Sequence, residues 1–161
     1  MIKNFNFLFV TLFGLGKIKH APGTIASLFT CAFFLIIINY FSLSIIFFLT
    51  LIIFLYSLIA INNSYEIFNS NDPQEIVIDE FVGQMIPLLA FPIYETLYLS
   101  SNEFYCILAF IIFRFFDILK PYPINIIDNN TKGSLGIMLD DIVAGLFTII
   151  ILTILFFFIG G

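Results

Sequence analysis

The feature that most constrains the fold is a series of long apolar runs, almost free of charge, that fill most of the 161-residue sequence. Five runs approach the ~20 apolar residues that a helix needs to cross the hydrocarbon core of a bilayer. They cover residues 24–39, 41–61, 78–94, 104–119 and 142–159, and a shorter run covers residues 5–13. The pattern predicts an all-α, polytopic transmembrane bundle of about five long spans, with one short N-terminal helix that is re-entrant or tilted.

The composition indicates that lipid is the solvent. Hydrophobic residues make up 61% of the chain and charged residues only 11%, and the mean hydropathy is +1.10. A soluble chain of this length has too few polar residues to cover so much apolar surface. No linker, repeat or change of composition divides the sequence, so we expect a single domain over residues 1–161. The net charge of −5 and the lack of a basic patch argue against a nucleic-acid partner.

The distribution of positive charge predicts the orientation in the membrane. Only residues 39–40 separate the first two long runs, so these runs form an antiparallel hairpin, and the alternation of spans then places residues 20–23, 62–76 and 120–141 on one side. We call this side the charged face, and its basic residues are Lys17, Lys19, Arg114, Lys120 and Lys132. The loops on the other side, 39–40 and 95–103, contain no Lys or Arg, which predicts a cytoplasmic charged face.

Acidic pairs occur at two helix ends on the charged face. Asp79-Glu80 opens the third long run and Asp140-Asp141 opens the last. One acid per helix is explained by the helix dipole, worth typically ~0.3–1 kcal/mol, but adjacent carboxylates beside a low-dielectric medium repel each other unless a cation compensates them. Because Mg²⁺ prefers oxygen ligands, and no Cys or His cluster is present, we predict a magnesium site. The predicted metal ligands are Asp79, Glu80, Asp140 and Asp141.

Arg114, Asp117 and Lys120 form the third charged group, at the end of the fourth run. Their i, i+3, i+6 spacing places them on one helix face, with a carboxylate between two cations. A salt-bridged stripe of purely structural value explains the spacing equally well. Together with the acidic pairs, however, it favours phosphate binding by Arg114 and Lys120, with Asp117 orienting Arg114.

Two further segments are candidates for phosphate binding. Residues 20–27 place a glycine and small hydroxyl side chains where a helix begins, and the free N–H groups there bind anions. An ordinary Pro-Gly turn with Thr24 as N-cap is the simpler explanation. His20 and Thr24 are nevertheless predicted phosphate contacts, with His20 also a candidate general acid, and Lys132 is predicted to supply a secondary contact. Gly83 and Gly145 allow neighbouring helices to approach closely.

Four ordered motifs resemble the phosphatidylglycerophosphatase A family, bacterial membrane enzymes of glycerophospholipid synthesis. They are Ala21-Pro22-Gly23-Thr24 with Ala26-Ser27, residues 79–83, residues 113–124 and residues 136–145. The resemblance implies Mg²⁺-dependent hydrolysis of phosphatidylglycerophosphate, a phospholipid of the bilayer, to phosphatidylglycerol and phosphate. It also implies an active site on the cytoplasmic face of the bacterial inner membrane.

The predicted catalytic residues are the acids of the three groups, Asp79, Glu80, Asp117, Asp140 and Asp141. Either a metal-activated water attacks phosphorus in line, or one carboxylate of a doublet is the nucleophile, and the sequence does not decide between them. A small ion-coupled transporter and a non-catalytic membrane subunit are the alternatives from other classes. The motifs of CDP-alcohol phosphotransferases and of vanadate-type lipid phosphatases are absent from the sequence.

Overall fold

The computed structural model describes residues 2–64, 68, 74–98 and 101–160, and within these ranges it contains helices and no strand. A single 3-10 turn, Leu15–Lys17, connects the first helix to the second. The α-helices are α1 (Ile2–Val10), α2 (Pro22–Ile37), α3 (Leu43–Ser64), α4 (Ile78–Leu89), α5 (Phe91–Tyr98), α6 (Asn102–Leu119), α7 (Ile124–Asn130) and α8 (Gly133–Gly160). The predicted all-α class is confirmed, whereas part of the predicted loop 62–76 lies outside the described residues.

Two of the predicted runs differ from the helices observed. The third run, 78–94, is not one helix, because α4 ends at Leu89 and α5 begins at Phe91. Pro87 and Pro92 lack the N–H that a continuous helix would use, which accounts for the break. The last run begins earlier than predicted, at Gly133 instead of residue 142. Asp140 and Asp141 therefore lie inside α8 and do not open it.

In the part of the chain that the structure describes, two helices are long and apolar enough to cross a membrane by length and composition, namely Leu43–Ser64 and the Gly133–Phe158 part of α8. The third apolar helix, α2, is shorter, at 16 residues. Large apolar side chains on these helices are exposed, for example Ile52 at 61% and Phe157 at 68%. Exposed apolar surface of this kind is compatible with a membrane protein. The five-span topology stays a prediction.

Glycines allow α4 and α8 to pack closely against each other. A Cβ on Gly83 would lie 2.8 Å from the Cβ and the carbonyl oxygen of Asp141, and a Cβ on Gly145 would lie 2.5 Å from the carbonyl oxygen of Gly83. Real Cβ atoms essentially never approach so closely. The two backbones are therefore in direct contact, as the small residues predicted, and the acids of both helices meet.

Aromatic packing fixes the far end of α4. Tyr105 is fully buried, and its hydroxyl donates a 2.6 Å hydrogen bond to the carbonyl oxygen of Pro87. Its ring packs against Phe91, Tyr94 and Phe156, with centroid distances of 5.3, 5.0 and 6.1 Å. These contacts connect α4, α5, α6 and α8 and hold the end of α4 in place in the bundle.

Candidate functional site

A cavity of about 870 Å³ opens where α2, α4 and α8 begin and α6 ends. The acidic residues that line it are Asp79, Glu80, Asp117, Asp128, Asp140 and Asp141. The basic residues that line it are Lys19, Arg114, Lys120 and Lys132. The three charged groups predicted from the sequence therefore converge on one cavity. Their negative charge exceeds the positive charge, which favours a bound cation.

Three carboxylates form a compact cluster in this cavity. Asp79 and Glu80 lie in the first turn of α4, and Asp141 comes from α8. One oxygen from each side chain lies within 4.8 Å of the other two. Asp79 Oδ1 and Glu80 Oε2 are buried and have no hydrogen-bond partner in the described chain. Buried acceptors without donors are costly, so the cluster fits a hard cation such as Mg²⁺, which binds carboxylate oxygens.

Asp140, predicted as a ligand of the same metal, lies beside the cluster and bonds to a lysine. Lys120 Nζ donates hydrogen bonds to Asp140 Oδ2 at 2.6 Å and to Asp128 Oδ1 at 2.5 Å. Burial lowers the pKa of Lys120, but the two carboxylates outweigh burial and raise the pKa above its ordinary value, so the lysine stays charged. Asp140 Oδ1 is buried without a partner in the described chain and remains available to a ligand.

The backbone at the end of α6 explains why Lys120 does not share a helix face with Arg114 and Asp117, although the sequence predicted that it would. Lys120 has a left-handed conformation, with φ of 41°, and Pro121 follows it. A proline disfavours helix at the preceding residue, so α6 ends at Leu119. Among the described residues, Asp117 forms an ion pair with Arg114 and none with Lys120, so the expected carboxylate between two cations is not observed there.

Asp128, on α7, was missed by the sequence analysis. The segment between Pro123 and α8 had no predicted helix, and the spacing between Lys120 and Asp128 matches no helical or strand period. The chain turns at residues 121–123 and returns along α7, which brings Asp128 back to Lys120. Only the tertiary path of the chain creates this contact.

Arg114 and Gly23 line the cavity beside Glu80. Arg114 Nη1 donates to Asp117 Oδ2, and Arg114 Nε is buried without a partner in the described chain. A Cβ on Gly23 would lie 2.0 Å from Glu80 Oε1 and 3.2 Å from Arg114 Nη1. The start of α2 is therefore packed directly against both an acid and a base of the site.

Of the three remaining residues predicted to contact phosphate, one lines the cavity. Lys132 lines the cavity, whereas His20 and Thr24 are not among the described residues that line it. Ala21 is the N-cap of α2, with Pro22 in its first turn, so the expected capping role of Thr24 is wrong. The residues of this segment that line the cavity are Ala21, Pro22 and Gly23, and the preceding Lys19 lines it as well.

A family model and two relatives carry the same family name. The sequence model described as Phosphatidylglycerophosphatase A matches residues 8–156. A Haemophilus influenzae protein named phosphatidylglycerophosphatase A is 33% identical over 86% of this chain and 81% of its own length. An Escherichia coli protein of the same name is 43% identical over 56% of this chain and 46% of its own.

A third relative carries a different name. A Bacteroides thetaiotaomicron protein, provisionally named a phosphatidylinositol-3-phosphatase, is 40% identical over 61% of this chain. The matches span 58% of the Bacteroides protein and 46% of the Escherichia protein, which is less than two thirds of either. No solved structure matches the chain.

Proposed function

Because the chain belongs to the phosphatidylglycerophosphatase A family, we propose that it hydrolyses the terminal phosphomonoester of phosphatidylglycerophosphate, giving phosphatidylglycerol and phosphate. The observation that carries the proposal is the meeting of the Asp79, Glu80 and Asp141 carboxylates with Arg114 in one cavity. Acids that hold a metal, beside a guanidinium that binds phosphate oxygens, suit phosphoryl transfer, in which positioning and charge stabilisation dominate.

We propose that Asp79, Glu80 and Asp141 hold Mg²⁺. The unsatisfied oxygens of Asp79 and Glu80 support this assignment, since each needs a positive partner. A bound Mg²⁺ would neutralise the cluster, offset charge on the phosphoryl oxygens and lower the pKa of a coordinated water.

The protein side chains supply binding and orientation. Arg114 binds the phosphoryl oxygens through the donors that Asp117 leaves available, and Asp117 holds the guanidinium in place. Lys120 adds a second cation whose position is set by Asp128 and Asp140. During hydrolysis a bond forms from water oxygen to phosphorus, the bond from phosphorus to the glycerol oxygen breaks, and that oxygen takes a proton from the solvent. Asp140 Oδ1 is the candidate acceptor for the proton that the water loses.

Attack by a carboxylate remains the alternative to attack by water. In that route one oxygen of the cluster bonds to phosphorus, the glycerol alkoxide leaves and is protonated, and water later releases phosphate from the acyl phosphate. The stereochemical course at phosphorus, followed with an isotopically chiral phosphoryl group, separates the two routes, because one in-line displacement by water inverts the configuration and two successive displacements retain it.

We place the active site at the cytoplasmic face of a bacterial inner membrane, with the cavity at the lipid–water boundary. The exposed apolar surfaces of α3 and α8 support contact with lipid. The lysines of the charged face support the cytoplasmic orientation. Cysteine accessibility at an engineered Asn39→Cys in intact cells tests it, since residue 39 should be reachable only from outside.

A second substrate class follows from the Bacteroides relative, whose name specifies a phosphorylated phosphatidylinositol. Phosphatidylinositol 3-phosphate also carries a phosphomonoester on a head group joined to lipid by a phosphodiester. The same cavity chemistry suits both lipids, and only the alcohol between the phosphates differs. The Haemophilus match over 86% of this chain favours the glycerol head group.

The decisive experiment uses the purified full chain in nonionic detergent micelles. Phosphate release is measured from phosphatidylglycerophosphate, phosphatidylinositol 3-phosphate and phosphatidic acid, each with Mg²⁺ and with excess chelator. We expect the glycerol lipid to be hydrolysed fastest, and only with Mg²⁺. Preference for the inositol lipid would support the second substrate class. Release from none of the lipids, or unchanged rates after neutralisation of the acid cluster, would favour a carrier or a non-catalytic subunit.

A further inference from the structure

Gln84 is a buried polar residue to which the proposed hydrolysis assigns no role. It lies in α4, is 0% exposed, and has no hydrogen-bond partner in the described chain for either Nε2 or Oε1. The other buried side-chain atoms without a partner in the described chain belong to residues that line the cavity, namely Asp79, Glu80, Arg114 and Asp140. Unpartnered polar atoms therefore occur in the site and at Gln84.

The position of Gln84 on α4 relates it to one acid of the cluster. Gln84 follows Glu80 by one helical turn, and residues at this spacing lie on the same helix face with their Cβ atoms about 5–6 Å apart. Side chains of a helix also lean toward its N-terminus, which is the end of α4 that lines the cavity. The amide of Gln84 is therefore directed from the interior of the bundle toward the carboxylate of Glu80.

The packing around this face of α4 leaves the amide of Gln84 without another partner. A Cβ on Gly23 would lie 2.0 Å from Glu80 Oε1, so the face packs against the start of α2. The buried hydroxyls of Ser27 and Thr30 donate to carbonyl oxygens of α2 itself and form no bond with Gln84. The unpartnered Nε2 of Gln84 and the unpartnered Oε2 of Glu80 are thus a donor and an acceptor on one helix face.

A hydrogen bond between these two groups is favourable. A buried donor and a buried acceptor without partners are each costly, and pairing them removes both costs. The last side-chain torsion of glutamine is broad, so the amide turns at little cost. A carboxylate oxygen has two lone pairs, so Glu80 Oε2 accepts this hydrogen bond and still binds a metal.

We propose that Gln84 is a positioning residue of the metal site, and that its Nε2 donates a hydrogen bond to Glu80 Oε2 when Mg²⁺ is bound. This inference rests on the proposed function, since it takes Glu80 as a metal ligand. The hydrogen bond holds the carboxylate toward Asp79 and Asp141. Support of this kind for a metal-ligating group typically changes metal affinity or activity by about 10–100-fold. Gln84 itself contacts neither the metal nor the lipid.

Gln84→Met tests the proposal, because methionine keeps a similar volume without the amide. Wild type and variant are titrated with Mg²⁺ in nonionic micelles, and the rise of Tm reports metal binding without substrate. We expect the Mg²⁺ concentration for the half-maximal rise of Tm to increase about 10–100-fold. The KM for phosphatidylglycerophosphate at saturating Mg²⁺ should stay within about twofold of wild type, because the amide does not touch the lipid.

A purely structural role of Gln84 predicts a different result. In chelator the Tm of Gln84→Met should equal or exceed that of wild type, since a buried amide without partners is lost. A structural role predicts a lower Tm with an unchanged response to Mg²⁺. An unchanged response to Mg²⁺ overturns the assignment, whatever the Tm in chelator. Gln84→Leu, which also lacks the amide, is measured beside it, so that misfolding of one variant leaves the other to decide.

A second pair of variants tests whether Gln84 acts through Glu80. In a Glu80→Ala background the donor has lost its acceptor, so adding Gln84→Met should change the Mg²⁺ concentration for the half-maximal rise of Tm by less than about twofold. A further increase of about tenfold would show that Gln84 acts on the metal by another route, and the inference fails.

Thr148 supplies the matched control. It is a fully buried polar residue of α8, its hydroxyl donates a 2.8 Å hydrogen bond to the carbonyl oxygen of Ala144, and it does not line the cavity. We expect Thr148→Val to keep the wild-type response to Mg²⁺. If it weakens Mg²⁺ binding as much as Gln84→Met, loss of any buried polar group disturbs the site, and the inference fails.

The two readouts separate this inference from the proposed function. If wild type releases no phosphate from the lipid but its Tm rises with Mg²⁺, and Gln84→Met weakens that response, the proposed function fails and the role of Gln84 in metal binding stands. If wild type hydrolyses the lipid and Gln84→Met responds to Mg²⁺ as wild type does, only the inference fails. A wild-type Tm that does not respond to Mg²⁺ overturns the metal site and the inference together.

Discussion

Replacing Gly23 with alanine should remove activity without unfolding the protein. Gly23 lies in the first turn of α2, where its backbone needs no positive φ, so alanine is compatible with the local conformation. The added Cβ would lie 2.0 Å from Glu80 Oε1 and 2.9 Å from Glu80 Cδ. Glu80 therefore has to move, and it is one of the three carboxylates of the cluster.

The size of the effect follows from these distances. Atoms essentially never approach a Cβ closer than 3.0 Å, so the Glu80 oxygen must shift by roughly 1 Å. A misplacement of that size in a catalytic group costs about 10²-fold in rate. The clash is with the end of a flexible side chain, and alanine is a better helix former than glycine by up to ~1 kcal/mol. We expect the unfolding free energy to stay within about 1 kcal/mol of wild type.

The assay combines phosphate release from phosphatidylglycerophosphate with thermal unfolding in the same detergent. For Gly23→Ala we expect a loss of about 10²-fold in kcat/KM at an almost unchanged Tm. Gly83→Ala makes a useful contrast, because its Cβ would meet the Asp141 backbone at 2.8 Å and would force α4 and α8 apart. That variant should lose both activity and about 1–3 kcal/mol of stability.

Gly14→Ala controls for the loss of a glycine as such. Gly14 has a positive φ of 97° and no atom within 4 Å of an added Cβ, and it does not line the cavity. It should cost about 1 kcal/mol of stability at wild-type activity. The reasoning is refuted if Gly23→Ala keeps at least a third of the wild-type rate, or if it loses activity only in proportion to unfolding.

Two further predictions concern the charges of the cavity. Asp141→Asn should lower kcat at least 10²-fold and abolish the rise of Tm on adding Mg²⁺. In chelator it should raise the Tm, because repulsion within the cluster is relieved. An unchanged response of the Tm to Mg²⁺ would contradict this prediction. Lys120→Met leaves the buried Asp140 carboxylate without its donor and should lower the unfolding free energy in detergent by about 1–3 kcal/mol. Asp128→Asn, at a more exposed position, should lower it by less than about 1 kcal/mol. Equal losses of stability would contradict the assigned contacts.

The sequence was sufficient to predict the helical class and the convergence of charge, because both follow from local rules. Long apolar runs predict helices, because a helix satisfies the backbone hydrogen bonds within the segment where no water is available. Adjacent acids such as Asp79-Glu80 are too costly near an apolar medium to be placed there without a compensating partner. Glycines at 83 and 145 indicated a close helix contact, and the structure confirms that α4 and α8 meet there.

The finer assignments depend on the path of the chain, which local patterns do not specify. Hydropathy cannot distinguish a proline-broken pair of helices from one span, so the division at Ala90 was missed. The spacing of Arg114, Asp117 and Lys120 suggested one row, but the left-handed backbone at Lys120 directs that residue to Asp128 and Asp140. Asp128 entered the site only through the turn before α7.

The packing of α4 against α8 connects the stability of the fold to its chemistry. Direct backbone contact at Gly83 holds Asp141 beside Asp79 and Glu80, so the bundle cannot pack its central helices without bringing these carboxylates together. Repulsion between the acids opposes the contact, while aromatic packing around Tyr105 holds the far ends in place. A cation bound in the cluster would attract all three carboxylates and so favour the contact between α4 and α8. Metal binding should therefore stabilise the same helix contact that creates the site, and the bundle should unfold at a higher temperature with Mg²⁺ than without it.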